Sequence, residues 1–449
     1  MIGRLVLGDL RRSLGWWVGG VLVAVVAAFA LTIPATLIDT AIPVTGVRSL
    51  ALLAIAGTVI AFTVTSVVIV MTSTTRAIVR ARSDSFALWQ IAGVLPRQVA
   101  EINIVEILVV GMVGGVLGGS VGAAFSPLLV DLALGSLPDL GSPAAHLGLV
   151  GSSIAVVGVI ALVGLSGIPA ALSASRVPPL QQLSGQESVL RTVNTRGVTG
   201  NEKRIPWARV VLTVALALLA FQLLGGLPRS VDTGGSGALL IGPVLVTITT
   251  LLGWRALGWV SGAWSGVVIY RWSPSFYVAR AAVARTPQGA AAITPFFVAI
   301  GLPSTLLAGN AVASSATGDP ATAPLGGIAL ILGGPVLLGA AGGGAALLLR
   351  SFRRRYESSV LHGIGAPRAT TILQVAWEVV IVVVTAALVA AAVTILTVMS
   401  EFAVLTPSHP LTVVYLDARP LLTVTGLCSL VAALFSAPAV ARNGRRSHR

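Results

Sequence analysis

Charge is what this 449-residue chain has least of. Only 10% of its residues are Asp, Glu, Lys or Arg, while 55% are hydrophobic and the mean hydropathy is +0.94. Soluble domains carry about 25% charged residues. Such a chain cannot hide its apolar surface in a water-soluble core, so an integral membrane protein is expected. Lysine is nearly missing: Lys203 is the single Lys among 29 basic residues. A phosphate-cradling loop needs Gly-x-x-x-x-Gly-Lys followed by Ser or Thr. Lys203 stands between Glu202 and Arg204, which excludes a P-loop and ATP hydrolysis by this chain. Cys428 is the single cysteine and lies in an apolar run, so an intramolecular disulfide and a Cys-based metal cluster are both excluded. The four histidines, His146, His362, His409 and His448, are far apart, and no metal site is expected from them. No nucleophile–base arrangement stands out, so the chain is expected to be non-catalytic. Weak alternation and abundant Gly and Ala argue against an outer-membrane barrel.

What is present is a series of apolar runs, each long enough to cross about 30 Å of hydrocarbon as a helix. Ten spans are expected: 16–38, 50–74, 103–133, 147–172, 207–227, 238–258, 290–314, 324–349, 372–400 and 419–437. The first could pass for a signal peptide, with Arg4, Arg11 and Arg12 ahead of it and Ala28-Phe29-Ala30 as a cleavage site. Its apolar stretch exceeds the roughly 7–15 residues of a signal core, so a retained span is expected. The net charge of +14 follows topology and not nucleic acid, because the arginines cluster between alternate spans. With both termini cytoplasmic, the outer side holds only Arg48, Arg229 and Arg419. Arg255, with Trp254, Trp259 and Trp264, reads as an interfacial belt with a snorkelling arginine. The connections 39–49, 134–146, 228–237, 315–323 and 401–418 are too short for an outer domain. The polar stretch 173–206, with Gly185, Gly197 and Gly200, reads as a cytoplasmic linker.

One segment occurs twice. The first copy runs from Ser83 and Asp84 through Phe86, Leu88 and Trp89 to Gly93, then Arg97 and Glu106. The second runs from Glu357 through Val360 and Leu361 to Gly365, then Arg368 and Glu378. In both, a short acidic-then-apolar helix is expected to end at the glycine through a left-handed cap. Basic segments around Arg11-Arg12 and Arg280 open the two halves, and spans one to four and seven to ten read as parallel repeats. Glu106 and Glu378 are costly in a membrane and should face protein. They read either as a lock between helices or as interfacial acids favoured by a helix N-terminus. The runs Gly111-Met112-Val113-Gly114-Gly115, Gly118-Gly119 and Gly342-Gly343-Gly344 read as close-packing surfaces.

These residues resemble the FtsX-like permease family, the membrane subunits of MacB-type (type VII) ABC transporters. Glu357, Leu361, Gly365-Ala366, Arg368 and Glu378 match the family's coupling-helix pattern. Gly93, Arg97 and Glu106 match it in the first copy, where Asp84 lies one place early. Ser175-Arg176-Val177-Pro178-Pro179-Leu180 resembles the signature after the fourth span. The resemblance implies an all-α polytopic fold with a first four-span unit and elbow at 1–183 and a linker at 184–206. Two linking spans at 207–272 and a second unit with a basic tail at 273–449 would follow. It implies a permease in the bacterial cytoplasmic membrane that couples ATP hydrolysis to export or extraction of an amphiphilic peptide, drug or lipid. ATP and Mg would be bound by a separate ABC ATP-binding subunit, in two copies, and not by this chain. Asp84, Phe86, Leu88, Trp89, Gly93 and Arg97, with Glu357, Val360, Leu361, Gly365 and Arg368, would form the coupling surfaces. The alternative for those segments is an ordinary interfacial helix with snorkelling arginines. The outer domain often found after a unit's first span is absent here. A signalling permease acting on an outer partner, and an ATP-independent secondary transporter, remain as alternatives.

Overall fold

The computed structural model describes residues 2–135, 144–175, 207–232, 237–252, 254–267, 273–284, 287–317, 325–363, 367–405 and 419–445. The regular structure among them is helical throughout: α1 Ile2–Ala41, α2 Val47–Ala81, α3 Ser83–Ile91, α4 Pro96–Leu134, α5 Leu149–Ser175, α6 Trp207–Asp232, α7 Gly237–Leu252, α8 Trp254–Val267, α9 Pro274–Ala284, α10 Pro287–Thr317, α11 Leu325–Gly363, α12 Arg368–Leu405 and α13 Arg419–Arg445. Eight of these helices are long and apolar enough to cross a membrane, so the chain is a multi-pass membrane protein. The linker expected at 184–206 lies outside the described residues.

Three of the ten expected spans differ from expectation. The sixth is broken: α7 and α8 meet at 86°, and the pair counts as a crossing only if the two legs are taken together. The tenth has a helical backbone, but its apolar stretch among the described residues, Leu421–Ser436, is shorter than the others. The ninth runs past its expected end to Leu405, which brings Glu401 out of the expected loop and into the helix bundle.

The two halves pack in the same order. In the first, α1 makes its most extensive contact with α4, and α5 closes against α4, α2 and α1. In the second, α10 makes its most extensive contact with α12, and α13 lies against α11, α12 and α10. The halves meet through α11, which lies on both α1 and α2. Small residues permit this approach: a Cβ on Gly19 would lie 3.1 Å from the Cβ of Ala345, and one on Gly342 would overlap Val70.

Helix α4 shows why the glycine runs are there. Gly114, Gly118 and Gly122 recur every fourth residue and face α1, where a Cβ on Gly118 would lie 2.1 Å from the carbonyl oxygen of Val25. Gly111, Gly115 and Gly119 have the same spacing and face α5, against Val163 and Val156. One helix thus offers two glycine faces about a turn-spacing apart, and its neighbours pack on its backbone as small residues allow in membranes. On α1, Thr36 Oγ1 donates to Thr32 O and Thr40 Oγ1 to Thr36 O. A Thr36–Ser126 hydrogen bond of 2.7 Å joins α1 to α4. At the far end, Asp39 accepts from Gly148 N–H at the start of α5 and Asp131 accepts from Ala145 N–H.

Candidate functional site

Helix α2 stops at Ala81, and Arg82 turns the chain into the nine-residue α3. Gly93 ends α3 with φ +93°, in the left-handed region where only glycine is unstrained. The Gly93 N–H donates to Gln90 O and the Val94 N–H to Trp89 O, the paired bonds of a Schellman cap. Leu95 then donates its N–H to Gln98 Oε1, and Pro96 opens α4 at the position where a missing N–H costs least. A Gly93→Ala variant should therefore lose about 1 kcal/mol of stability, read as a lower midpoint of thermal unfolding in lipid nanodiscs. An unchanged midpoint would show that the cap is not held.

The two faces of α3 differ. Phe86 is fully buried among Val79, Val99 and Ala170, and Trp89 packs beside it with ring centroids 5.7 Å apart. Leu88, Ile91 and Leu95 point away and are 59%, 57% and 61% exposed. Phe86 anchors α3 to its own bundle, and Trp89 is half-buried beside it. The outward residues of α3 are Leu88 and Ile91, three residues apart, and Leu95 follows beyond the Gly93 cap. The sequence pattern did not separate these faces because apolar residues occur on both. Arg97 is almost fully exposed and its Nε donates to Glu101 one turn on, at 3.1 Å. Asp84 stands in the first turn of α3, and its side chain lies outside the described residues.

Beneath α3 lies a buried ion pair. Arg82 Nη1 donates to Glu106 Oε2 at 2.5 Å, and its Nη2 lies 3.5 Å from Oε1. The two side chains are 4% and 0% exposed. The same guanidinium lies over the rings of Phe86 and Trp17, 5.2 and 5.7 Å from their centroids. One cation thus joins the foot of α2, the anchor of α3, the third span through Glu106 and the first span through Trp17. Charge-assisted bonds and cation–π contacts gain strength when water is excluded.

The second half repeats this pair. Arg350 Nη2 lies 3.3 Å from Glu378 Oε2 and donates to Ala282 O of α9 at 3.0 Å. Gln374 Nε2 donates to Glu378 Oε1 at 3.4 Å. Glu378, like Glu106, is buried and paired with an arginine, so both acids face protein. Arg82 and Arg350 were visible only as topological markers. Their signal was an arginine recurring at the foot of the second span of each half.

The flanking architecture is not repeated. Glu357, Val360 and Leu361 lie on the last turns of α11, which runs unbroken from Leu325 to Gly363. Among the described residues no separate helix corresponds to α3, because α11 has no interruption at the place where α2 breaks at Arg82. Gly365 and the side chains of Glu357, Val360, Leu361 and Arg368 lie outside the described residues, with Arg368 opening α12.

A third buried acid was missed because it was assigned to a loop. Glu401 of α12 is 0% exposed, and among the described residues neither carboxyl oxygen has a hydrogen-bond partner. It faces α10, where a Cβ on Gly309 would lie 3.0 Å from Oε1. Val398 and Leu405, one turn to either side of it, pack with Leu227, Ile241 and Val312. Among the described residues no group of His, Cys, Asp and Glu could hold a metal ion.

Residues 57–179 match the family profile of the FtsX-like permease C-terminal domain. The match spans α2 to α5 and contains α3, its cap and both members of the Arg82–Glu106 pair. No curated protein matches the chain.

Proposed function

The chain carries an FtsX-like permease domain, and from that premise we propose that it couples a separate ABC ATP-binding subunit to export or membrane extraction of an amphiphilic substrate. The observation that carries this reading is α3. It is a short capped helix with Leu88 and Ile91 exposed on it and Leu95 just past its cap, and Phe86 and Arg82 fix it to the first four spans. An apolar strip at helical spacing suits a helix-in-groove contact. A push on α3 would pass through Arg82 to Glu106 and so to the third span. The second unit would receive the same push through the continuous end of α11. In this reading the units comprise 1–183 and 273–449, and the arginine-rich ends, including both termini, face the cytoplasm. Two ATPase copies bind the ATP and Mg, and substrate enters laterally from lipid.

The test is co-purification of the tagged chain with its neighbouring genes expressed, followed by ATPase assay in lipid. Wild type should bring down the subunit with nucleotide-dependent activity. Leu88→Asp with Ile91→Asp should lose both while keeping the wild-type elution profile. Recovery of the subunit by the double variant would remove α3 from the interface. Glu401 is the one feature that favours an ATP-independent transporter, which would need a buried ionisable group. Substrate movement in liposomes lacking any ATPase would select that reading.

A further inference from the structure

The break between α7 and α8 leaves a feature that coupling does not use. After the 86° turn, α8 lies against α9, the basic segment that leads into the second unit. Between them is a groove of about 330 Å³, lined by Gly258, Trp259, Gly262, Tyr277, Arg280 and Ala281 with neighbouring alanines. Its floor is built from small residues. Gly258, Gly262 and Gly266 recur every fourth residue on α8, and α9 approaches that face, with a Cβ on Gly258 falling 3.4 Å from Ala284 O. Its rim is aromatic and open, with Trp259 74% and Tyr277 49% exposed.

Within the groove the charge is fixed in place. Arg280 Nε donates to the hydroxyl of Ser265, which is buried, and Nη2 donates to Gly262 O, both at 3.1 Å. These bonds hold the guanidinium plane against α8 at the groove wall. A cation beside a narrow apolar floor, rimmed by Trp and Tyr, has the complementarity of a phosphate joined to an acyl chain. Aromatic rings of this kind favour the headgroup level, and an arginine there attracts anionic lipid. A soluble phosphate would leave the apolar floor and both rings without a partner.

We propose that the α8–α9 groove is a binding site for an anionic phospholipid, its phosphate on Arg280 and one acyl chain along Gly258, Gly262 and Ala281 beneath Trp259. The bound lipid fills the gap left by the broken span and seats the basic segment at the membrane surface. The site does not depend on coupling to an ATPase.

The test is native mass spectrometry of the full chain released from nanodiscs containing equal phosphatidylglycerol and phosphatidylcholine. Wild type should retain phosphatidylglycerol selectively. Arg280→Gln should reduce that retention about fivefold, whereas Arg280→Lys, which keeps the charge, should preserve most of the selectivity. Ala281→Phe leaves the charge intact and fills the groove, and it should displace the lipid as well. That variant keeps the test decisive if Arg280→Gln proves unstable. Equal retention of the two lipids by wild type, or retention unchanged in Ala281→Phe, would overturn the proposal. Inorganic phosphate added to detergent-solubilised protein should not compete, and competition by it would identify a simple anion site in place of a lipid site.

Discussion

Arg82→Leu should lower the stability of this protein by about 3–5 kcal/mol, the cost of leaving a carboxylate buried without its partner. Glu106 is 0% exposed and accepts charge-assisted bonds from Arg82, so truncating the arginine removes them. Removing both charges is a different experiment. Arg82→Leu with Glu106→Leu replaces the pair with apolar groups, and such replacements of buried pairs are commonly neutral or favourable. The double variant should therefore recover most of what the single variant loses, and the thermodynamic cycle should show strong non-additivity. Arg97→Ala is the control: its pair with Glu101 is solvent-exposed and should contribute little. The measurement is unfolding in nanodiscs for wild type, Arg82→Leu, Glu106→Leu, the double variant and the Arg97 control. A single variant no worse than the Arg97 control would mean that Glu106 is not held as a buried charge. The pair's second role has its own readout. A double variant that folds but no longer stimulates the ATPase would assign transmission, and not only stability, to Arg82 and Glu106.

Glu401→Leu should move stability the other way. A buried carboxyl with no hydrogen-bond partner costs about 1–3 kcal/mol by protein mutational data. Among the described residues Glu401 has neither oxygen satisfied, and it lies on the face of α12 that packs with Leu227, Ile241 and Val312. Leucine extends that apolar cluster, so the variant's unfolding midpoint should rise. A fall would show that the carboxyl has a stabilising partner in the folded protein. Transport measured on the same variant completes the experiment. Increased stability with lost activity is the mark of a group kept for function at the expense of stability. Increased stability with full activity would assign Glu401 no role in transport.

The parts of this fold that depend on composition and periodicity were legible in the sequence. The apolar runs, the glycine spacing in α4 and the glycine that ends α3 each specify a local structure that few other residues permit. The duplicated Gly-to-Glu spacing located Glu106 and Glu378 before their environment was visible. What the sequence did not disclose depends on three-dimensional neighbours. Nothing local tells Phe86 from Leu88, since both are large and apolar on a nine-residue helix, and only the packing against Val79, Val99 and Ala170 separates them. Nothing local pairs Arg82 with Glu106 across 24 residues. The span boundary that hid Glu401 failed for a related reason: an acid reads as the end of an apolar run, whereas the helix continues to Leu405 because neighbouring helices enclose it. The break between α7 and α8 has no proline at its turn. It falls just before Trp254-Arg255, the residues read as belonging to the headgroup region.

The Arg82–Glu106 pair also bears on how the chain enters the bilayer. Glu106, alone within a spanning helix, carries an insertion penalty of up to about 2.5–3.5 kcal/mol on the translocon scale. Arg82 stands at the foot of the preceding span, separated from α4 only by α3 and its cap, so it can neutralise Glu106 while both are still beside the insertion machinery. Helices α2 and α4 are thus suited to leave for lipid together as a helical hairpin, and α11 and α12, with Arg350 and Glu378, as another. Glu401 has no such companion on an adjacent span. Its shelter is made by α6, α7 and α10, all of which emerge earlier from the ribosome, and α12 can lodge it there only once those helices are in place.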